Sequence, residues 1–267
     1  MGYKQSQGNH ILFFNHSSLG GVTTLIVYVD DIIVTRNNDA EKRLLSQCLS
    51  QEFEMKIVRR LKYFLGIEVA YFKNSIFLSQ QKYVIDLLQE TGKTTCKPVN
   101  SPISSKLICL AHIRPDIAYA VSVIIKFMHN PKQIHLQAAY HVLHFLKGIT
   151  GKDILFKKHD YLALEVYTDV DYAGSIVDQR STSGYCTFLG GNLITWRSKK
   201  QNVVSRSSAE AEFRAMAQGI CEILWVNIIL KDLKINIDGP MKLYCDNKSM
   251  INIAHNPIQH DRTKHRD

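Results

Sequence analysis

The sequence predicts a mixed α+β / α/β chain of more than one unit, and three observations carry that expectation. Leu25–Val34 (LIVYVDDIIV) and the start of Leu162–Gly174 (LALEVYTDVDYAG) have the apolar runs and period-2 alternation of β-strands. Arg114–Met128 and His135–Gly148 repeat apolar side chains at helical spacing over helix length. From Gly184 to Leu224 short strand patterns give way to one long helical stripe. At 267 residues the chain can bury a sizeable core and divide into two units.

Composition narrows the function classes. With 45% hydrophobic and 21% charged residues the chain is globular rather than disordered. A net charge of +9 favours a polyanionic partner, nucleic acid first. Six cysteines show no CxxC pair and no zinc spacing, which fits reduced thiols in an intracellular compartment, cytoplasmic or nuclear. No apolar run reads as long enough to span a bilayer, so a membrane is not expected as a partner.

In chain order, Leu25–Val34 reads as a hairpin whose turn presents Asp30 and Asp31. Adjacent carboxylates repel unless a cation lies between them, so the pair asks for a metal. Asn38–Phe53 reads as a packing helix through Leu44, Leu45, Cys48, Leu49 and Phe53. Lys62–Ala70 and Ser75–Ser79 read as strands around a Lys73-Asn74 turn, and Lys82–Glu90 as a helix stopped by Gly92. Pro98 and Pro102 mark a linker. His135, His141 and His144 read as helix-face histidines, since no Cys or carboxylate completes a ligand set.

In the last hundred residues, Asp169 and Asp171 fall on one strand face, because side chains repeat every second residue. Asp178–Thr182 reads as a turn, Gly184–Leu189 as a strand, Gly190-Gly191-Asn192 as a hairpin turn and Leu193–Arg197 as a third strand. Ser207 and Glu210 then match a helix capping box. Phe213, Met216, Ile220 and Leu224 supply an apolar stripe along that helix. Capping gives Glu210 a structural task and leaves Glu212, on another face, for chemistry. Met241–Cys245 reads as a fourth strand ending at Asp246, with Asn247–Ala254 as the next helix.

Several of these stretches resemble one known family. Tyr28-Val29-Asp30-Asp31 resembles the YxDD polymerase motif of reverse transcriptases. Gly2–Gln7 (GYKQSQ), Leu61–Val69 (LKYFLGIEV), Arg114–Val121 (RPDIAYAV), Arg180–Tyr185 (RSTSGY) and Trp196–Gln201 (WRSKKQ) resemble the copia-type LTR-retrotransposon Pol polyprotein. The strand meander followed by a long helix resembles the opening of a ribonuclease H fold. The resemblance implies three segments: 1–103 as the C-terminal part of a reverse transcriptase, with palm hairpin and thumb-like region; 104–161 as a connection segment; 162–267 as a ribonuclease H-like mixed-sheet domain.

It also implies roles. Asp30 and Asp31 would be polymerase catalytic carboxylates and metal ligands. Asp169, Glu212 and Asp246 would form a ribonuclease H-like catalytic site holding two Mg²⁺, with Mn²⁺ as the alternative ion. Trp196, Arg197, Lys199, Lys200 and Arg206 would contact nucleic-acid phosphates. The implied partners are an RNA–DNA hybrid or other nucleic acid, an intact Pol, or virus-like-particle components. In the family, a first polymerase aspartate lies upstream of YxDD and a fourth ribonuclease H aspartate lies beyond a motif that here is His260–His265. A further stretch normally precedes RPDIAYA. The expectation is therefore a Pol fragment truncated at both ends with an internal deletion and an incomplete catalytic set. The alternative is a basic nucleic-acid-binding or protein-interaction module without catalysis.

Overall fold

Among the described residues, alternating apolar side chains build three four-stranded sheets, joined by helices into a mixed α and β architecture. The computed structural model describes residues 2–17, 21–36, 39–52, 60–92, 102–127, 130, 132–149, 153–175, 178–248 and 251. The chain divides into two compact units, one of residues 1–61 with 222–237, the other of residues 62–221 with 238–267.

The first unit is an antiparallel sheet of β1 (Lys4–Gln5), β2 (Leu12–His16), β3 (Val22–Tyr28) and β4 (Asp31–Arg36), followed by α1 (Asp39–Glu52). Leu12, Phe14 and Leu25 are buried in it. The β3–β4 hairpin occurs where the sequence places it, but Tyr28 pairs with Asp31, so the turn is Val29-Asp30 and Asp31 opens β4. Val29 takes φ 49°, an uncommon conformation for a β-branched residue, and is largely exposed. Asp232, brought into this unit by the end of the last helix, accepts a hydrogen bond from the Ser6 hydroxyl at 2.7 Å and one from the Gln7 amide at 3.1 Å. The Trp225 indole N–H donates to the Gly8 carbonyl.

In the second unit β5 (Tyr63–Phe64), β6 (Ile67–Tyr71), β7 (Ser75–Ser79) and β8 (Ile154–Lys157) form one antiparallel sheet. The expected single strand from Lys62 to Ala70 is broken by a Leu65-Gly66 turn, whose φ values of 49° and 83° cannot continue a strand. Four helices follow or flank it: α2 (Gln81–Gly92), α3 (Pro102–Ala111), α4 (Pro115–Ile125) and α5 (Gln133–Gly148). Pro102 does not mark a linker here; it begins α3, a position where the missing N–H costs no hydrogen bond. Pro98 lies outside the described residues. Leu87 of α2, Leu107 and Leu110 of α3, Ile117 and Val121 of α4 and Leu143 and Leu146 of α5 share one apolar core. His141 and His144 are exposed on α5, while His135 accepts the Lys132 amide at 3.1 Å and stacks on Phe127.

The third sheet has the order β11-β10-β9-β12, built from β9 (Leu164–Asp171), β10 (Thr182–Leu189), β11 (Asn192–Lys200) and β12 (Lys242–Cys245). β9, β10 and β11 are an antiparallel meander, and β12 lies parallel to β9. Gly190 and Gly191, at φ 54° and 74°, make the two-residue turn between β10 and β11. A Cβ on Gly190 would sit 2.6 Å from the Tyr161 carbonyl.

The last helix, α6 (Ser208–Asp232), does not bury the expected stripe. Phe213, Ile220 and Leu224 are exposed, while Ala211, Ala215, Ile223, Val226 and Leu230 are buried. Small side chains win because α6 lies almost on the sheet: a Cβ at Gly219 would be 2.6 Å from Thr168 Cγ2 and 3.3 Å from Val166 Cγ2. α6, at 25 residues, is also long and apolar enough to cross a bilayer by length and composition alone. That corrects the expectation that no run reaches this length; only Glu222 interrupts the apolar and neutral stretch from Ala215 to Leu230. Of the expected Asn247–Ala254 helix, the Ile251 amide donates to the Asn247 carbonyl at 3.2 Å, and most of the rest lies outside the described residues.

Candidate metal and nucleic-acid site

α6 and β12 of the second unit bring Glu212 together with Cys245 and Asp246, and Asp169 of β9 lies near enough to act on Glu212 electrostatically without joining that cluster. Leu164, Val166 and Thr168 point into the core, so the intervening Tyr167, Asp169 and Asp171 are exposed on the other face of β9. Cys245, the last residue of β12, pairs with Thr168, so Asp246 follows directly after β12 as Asp169 follows Thr168 on β9. Glu212, in the first turns of α6, is buried to 6% exposure. Ligand atoms of Glu212, Cys245 and Asp246 lie within 4.8 Å of one another.

The placement of Glu212 is set by its neighbours. Ser207 Oγ accepts the Glu210 amide at 3.2 Å, as the capping pattern requires. Glu210 reaches back one residue further than expected, to the Arg206 amide at 2.7 Å, and also pairs with Arg214. Beneath this turn the Gln201 side-chain amide donates to Ser183 Oγ at 3.0 Å and to the Ala211 carbonyl at 2.9 Å. Its oxygen accepts the Ser205 hydroxyl at 2.8 Å. Gln201, Ser183 and Ser205 are all buried, so this network fixes the start of α6 against β10.

Electrostatics distinguish the two glutamates. Burial, then the negative charges of Asp246 and Asp169, push the Glu212 carboxyl above the usual carboxylate range. The Arg206 amide and then the Arg214 guanidinium hold the Glu210 carboxyl below it. A buried carboxylate repelled by two others asks for a cation. Oxygen donors of this kind suit Mg²⁺ or Mn²⁺, so the residues fit the ions that the resemblance implies.

Cys245 was not singled out from sequence. Its thiol donates to Glu212 Oε2 at 3.7 Å and accepts the Asn247 amide at 3.4 Å. Period-2 alternation would send it away from Asp246, but the strand ends there and both converge on Glu212. The one sequence signal was its position at the strand terminus.

The other expected site residues are distributed as follows. Asp30 and Asp31 are exposed in the first unit, and the described residues bring no third His, Cys, Asp or Glu to them. Asp171 is exposed at the end of β9, its carboxylate folded against Gly174. Arg197, Lys199 and Arg206 are exposed. Lys200 is engaged by Asp178 and by Ser175 Oγ, and Asp178 is held well below the usual carboxylate range by that lysine. The Trp196 indole N–H donates to the Ala111 carbonyl at 3.0 Å, which ties β11 to the end of α3.

Against known proteins, the reverse transcriptase (RNA-dependent DNA polymerase) family matches residues 1–105. The chain is 38% identical, over 91% of its own length, to the Retrovirus-related Pol polyprotein from transposon RE1 of Arabidopsis thaliana. It is 30% identical over 99% of its length to that from transposon TNT 1-94 of Nicotiana tabacum. It spans 18% of the first and 22% of the second. An uncharacterized mitochondrial protein of Arabidopsis thaliana is 35% identical over 75% of this chain and 93% of that protein.

Proposed function

The chain belongs to the copia-type retrotransposon Pol polyproteins, and on that premise we propose that its second unit carries a ribonuclease H-like site that cuts the RNA strand of an RNA–DNA hybrid. The β3–β4 hairpin, by the same reading, is the palm hairpin of the reverse transcriptase part. The observation that supports the nuclease reading best is the meeting of Glu212 and Asp246, with Glu212 buried and repelled by Asp246 and by nearby Asp169.

Asp169, Glu212 and Asp246 would hold the divalent ions. When bound, such ions activate a water and stabilise the leaving oxygen in phosphodiester cleavage. Buried Glu212 fixes the innermost ligand position, because its helix cannot shift without breaking the Gln201 network. Asp169 and Asp246, exposed at adjacent strand ends, face the phosphate backbone. Arg197, Lys199 and Arg206 supply the cations that hold that backbone in place. Trp196 serves the packing of β11 on α3.

The test is cleavage of a labelled RNA–DNA hybrid in Mg²⁺ and Mn²⁺ beside an Asp169→Asn variant. Cleavage that the variant abolishes is the expected result. A folded protein that binds the hybrid and leaves it intact would sink the nuclease reading. It would favour the second, a basic nucleic-acid-binding module, which the exposure of Arg197, Lys199 and Arg206 supports without any ion.

A further inference from the structure

On the sheet face that carries Asp169, α4 does not lie flush. It leaves an open cleft of about 300 Å³ lined by Tyr119, Tyr167, Asp169, Gly184 and Trp196, with Arg197 at its edge. That is the lower end of small-ligand pocket volumes, too small for a helix or a folded partner. The lining is aromatic and partly wet: Tyr119 is 53% and Tyr167 46% exposed. Tyr167 is held in place by a stacked Tyr244, at 4.6 Å and 14° between planes, and by the edge of Phe188 at 5.6 Å. Exposed aromatic rings held this way form a platform that loses little freedom when something flat stacks on it.

We propose that this cleft binds one unpaired nucleobase. The rings of Tyr119, Tyr167 and Trp196 give a base its stacking surface. Asp169 lies one pleat from Tyr167, about 7 Å along the strand, so a base in the cleft leaves its own backbone beside Asp169. The occupant is thus a single-stranded segment next to the site, and the proposal rests on the nucleic-acid reading above without needing cleavage.

Gly184 makes the cleft and offers its test. It is extended in β10 opposite Asp169, and a Cβ there would meet only two backbone oxygens, both at 3.9 Å, so a side chain has open space to enter. Gly184→Leu fills the cleft while replacing a weak strand residue by one that supports the strand.

Binding of a short labelled oligothymidine is compared with an abasic strand of equal length and charge, by fluorescence anisotropy at fixed salt. The wild-type protein is expected to favour the base-bearing strand about tenfold. Gly184→Leu and Tyr119→Ala are each expected to erase that preference, keep the affinity for the abasic strand, and melt no lower than the parent by more than a few degrees. Equal affinity of the wild type for both strands would overturn the proposal. So would a preference that survives Gly184→Leu. A preserved base preference without hybrid cleavage removes the nuclease reading and leaves the cleft standing; cleavage without base preference does the reverse.

Discussion

Glu210 and Glu212 stand two positions apart at the start of α6, and their carboxyls are driven in opposite directions. Glu210 is held low by the Arg206 amide and Arg214, whereas Glu212 is pushed up by burial and by Asp246 and Asp169. Their linkage to pH therefore has opposite signs. Glu210 contributes stability above its unfolded pKa that is lost as pH falls through its lowered folded value. Glu212 favours the folded state at low pH, and that contribution is lost as pH rises through its raised folded value. In metal-free buffer, Glu212→Gln should raise Tm at neutral pH and remove the decline on the way up from acid. Glu210→Gln should lower Tm at neutral pH. Thermal melting across pH reads both, and a Glu212→Gln variant that melts lower at neutral pH would refute the repulsion.

Mg²⁺ should reverse the cost of that repulsion. An ion tenfold above its dissociation constant stabilises the folded state by about 1.4 kcal/mol. Melting of the wild type should rise with Mg²⁺, while Asp169→Asn and Asp246→Asn should respond weakly or not at all.

The Gln201 side chain has a different task. It joins Ser183 of β10, Ser205 and the Ala211 carbonyl in one buried network. Gln201→Leu leaves these groups without partners and should cost about 1–3 kcal/mol. Since the network sets where α6 begins, Mg²⁺-dependent stabilisation should weaken with it. Denaturant melts with and without Mg²⁺ measure the two effects separately.

Gly219 tests the closeness of α6 to the sheet. An alanine there must displace Thr168 Cγ2, 2.6 Å from the new Cβ, so Gly219→Ala should destabilise by about 1–3 kcal/mol despite its better helix propensity. A neutral or stabilising outcome in urea melts would mean the helix has room to move.

Arg197 and Trp196, neighbours on β11, should separate by salt. Arg197→Ala is expected to lower the slope of log affinity against log salt by about one unit. Trp196→Phe deprives the Ala111 carbonyl of its donor and should cost about 1 kcal/mol of stability with the slope unchanged.

Local patterns made much of this legible. The β3–β4 hairpin, the Gly190-Gly191 turn and the start of α6 each follow from a few adjacent residues, as does the capping role of Glu210. What stayed hidden depends on contacts distant in sequence. β8 is a four-residue strand that exists because β7 offers it an edge, and nothing in Ile154–Lys157 announces that. The exposed stripe of α6 misled because a helix packed through Ala211, Ala215 and Gly219 buries its smallest side chains, and hydrophobicity alone points to the wrong face. Trp196 read as a nucleic-acid contact because its basic neighbours are visible in sequence, while the Ala111 carbonyl that holds its indole is 85 residues away.

The tie from Ser6 and Gln7 to Asp232 has a bearing on the order of folding. These bonds join residues more than 220 positions apart, so the ribosome must have passed Asp232 before they can form. Loop closure over that distance is slow compared with local hairpins and helices. The β3–β4 hairpin and the α2–α5 core can assemble while synthesis continues; the opening residues wait for the end of α6. During that interval Ser6 and Gln7 are without their α6 partner, and β1, an edge strand of its sheet, offers its outer edge to other chains.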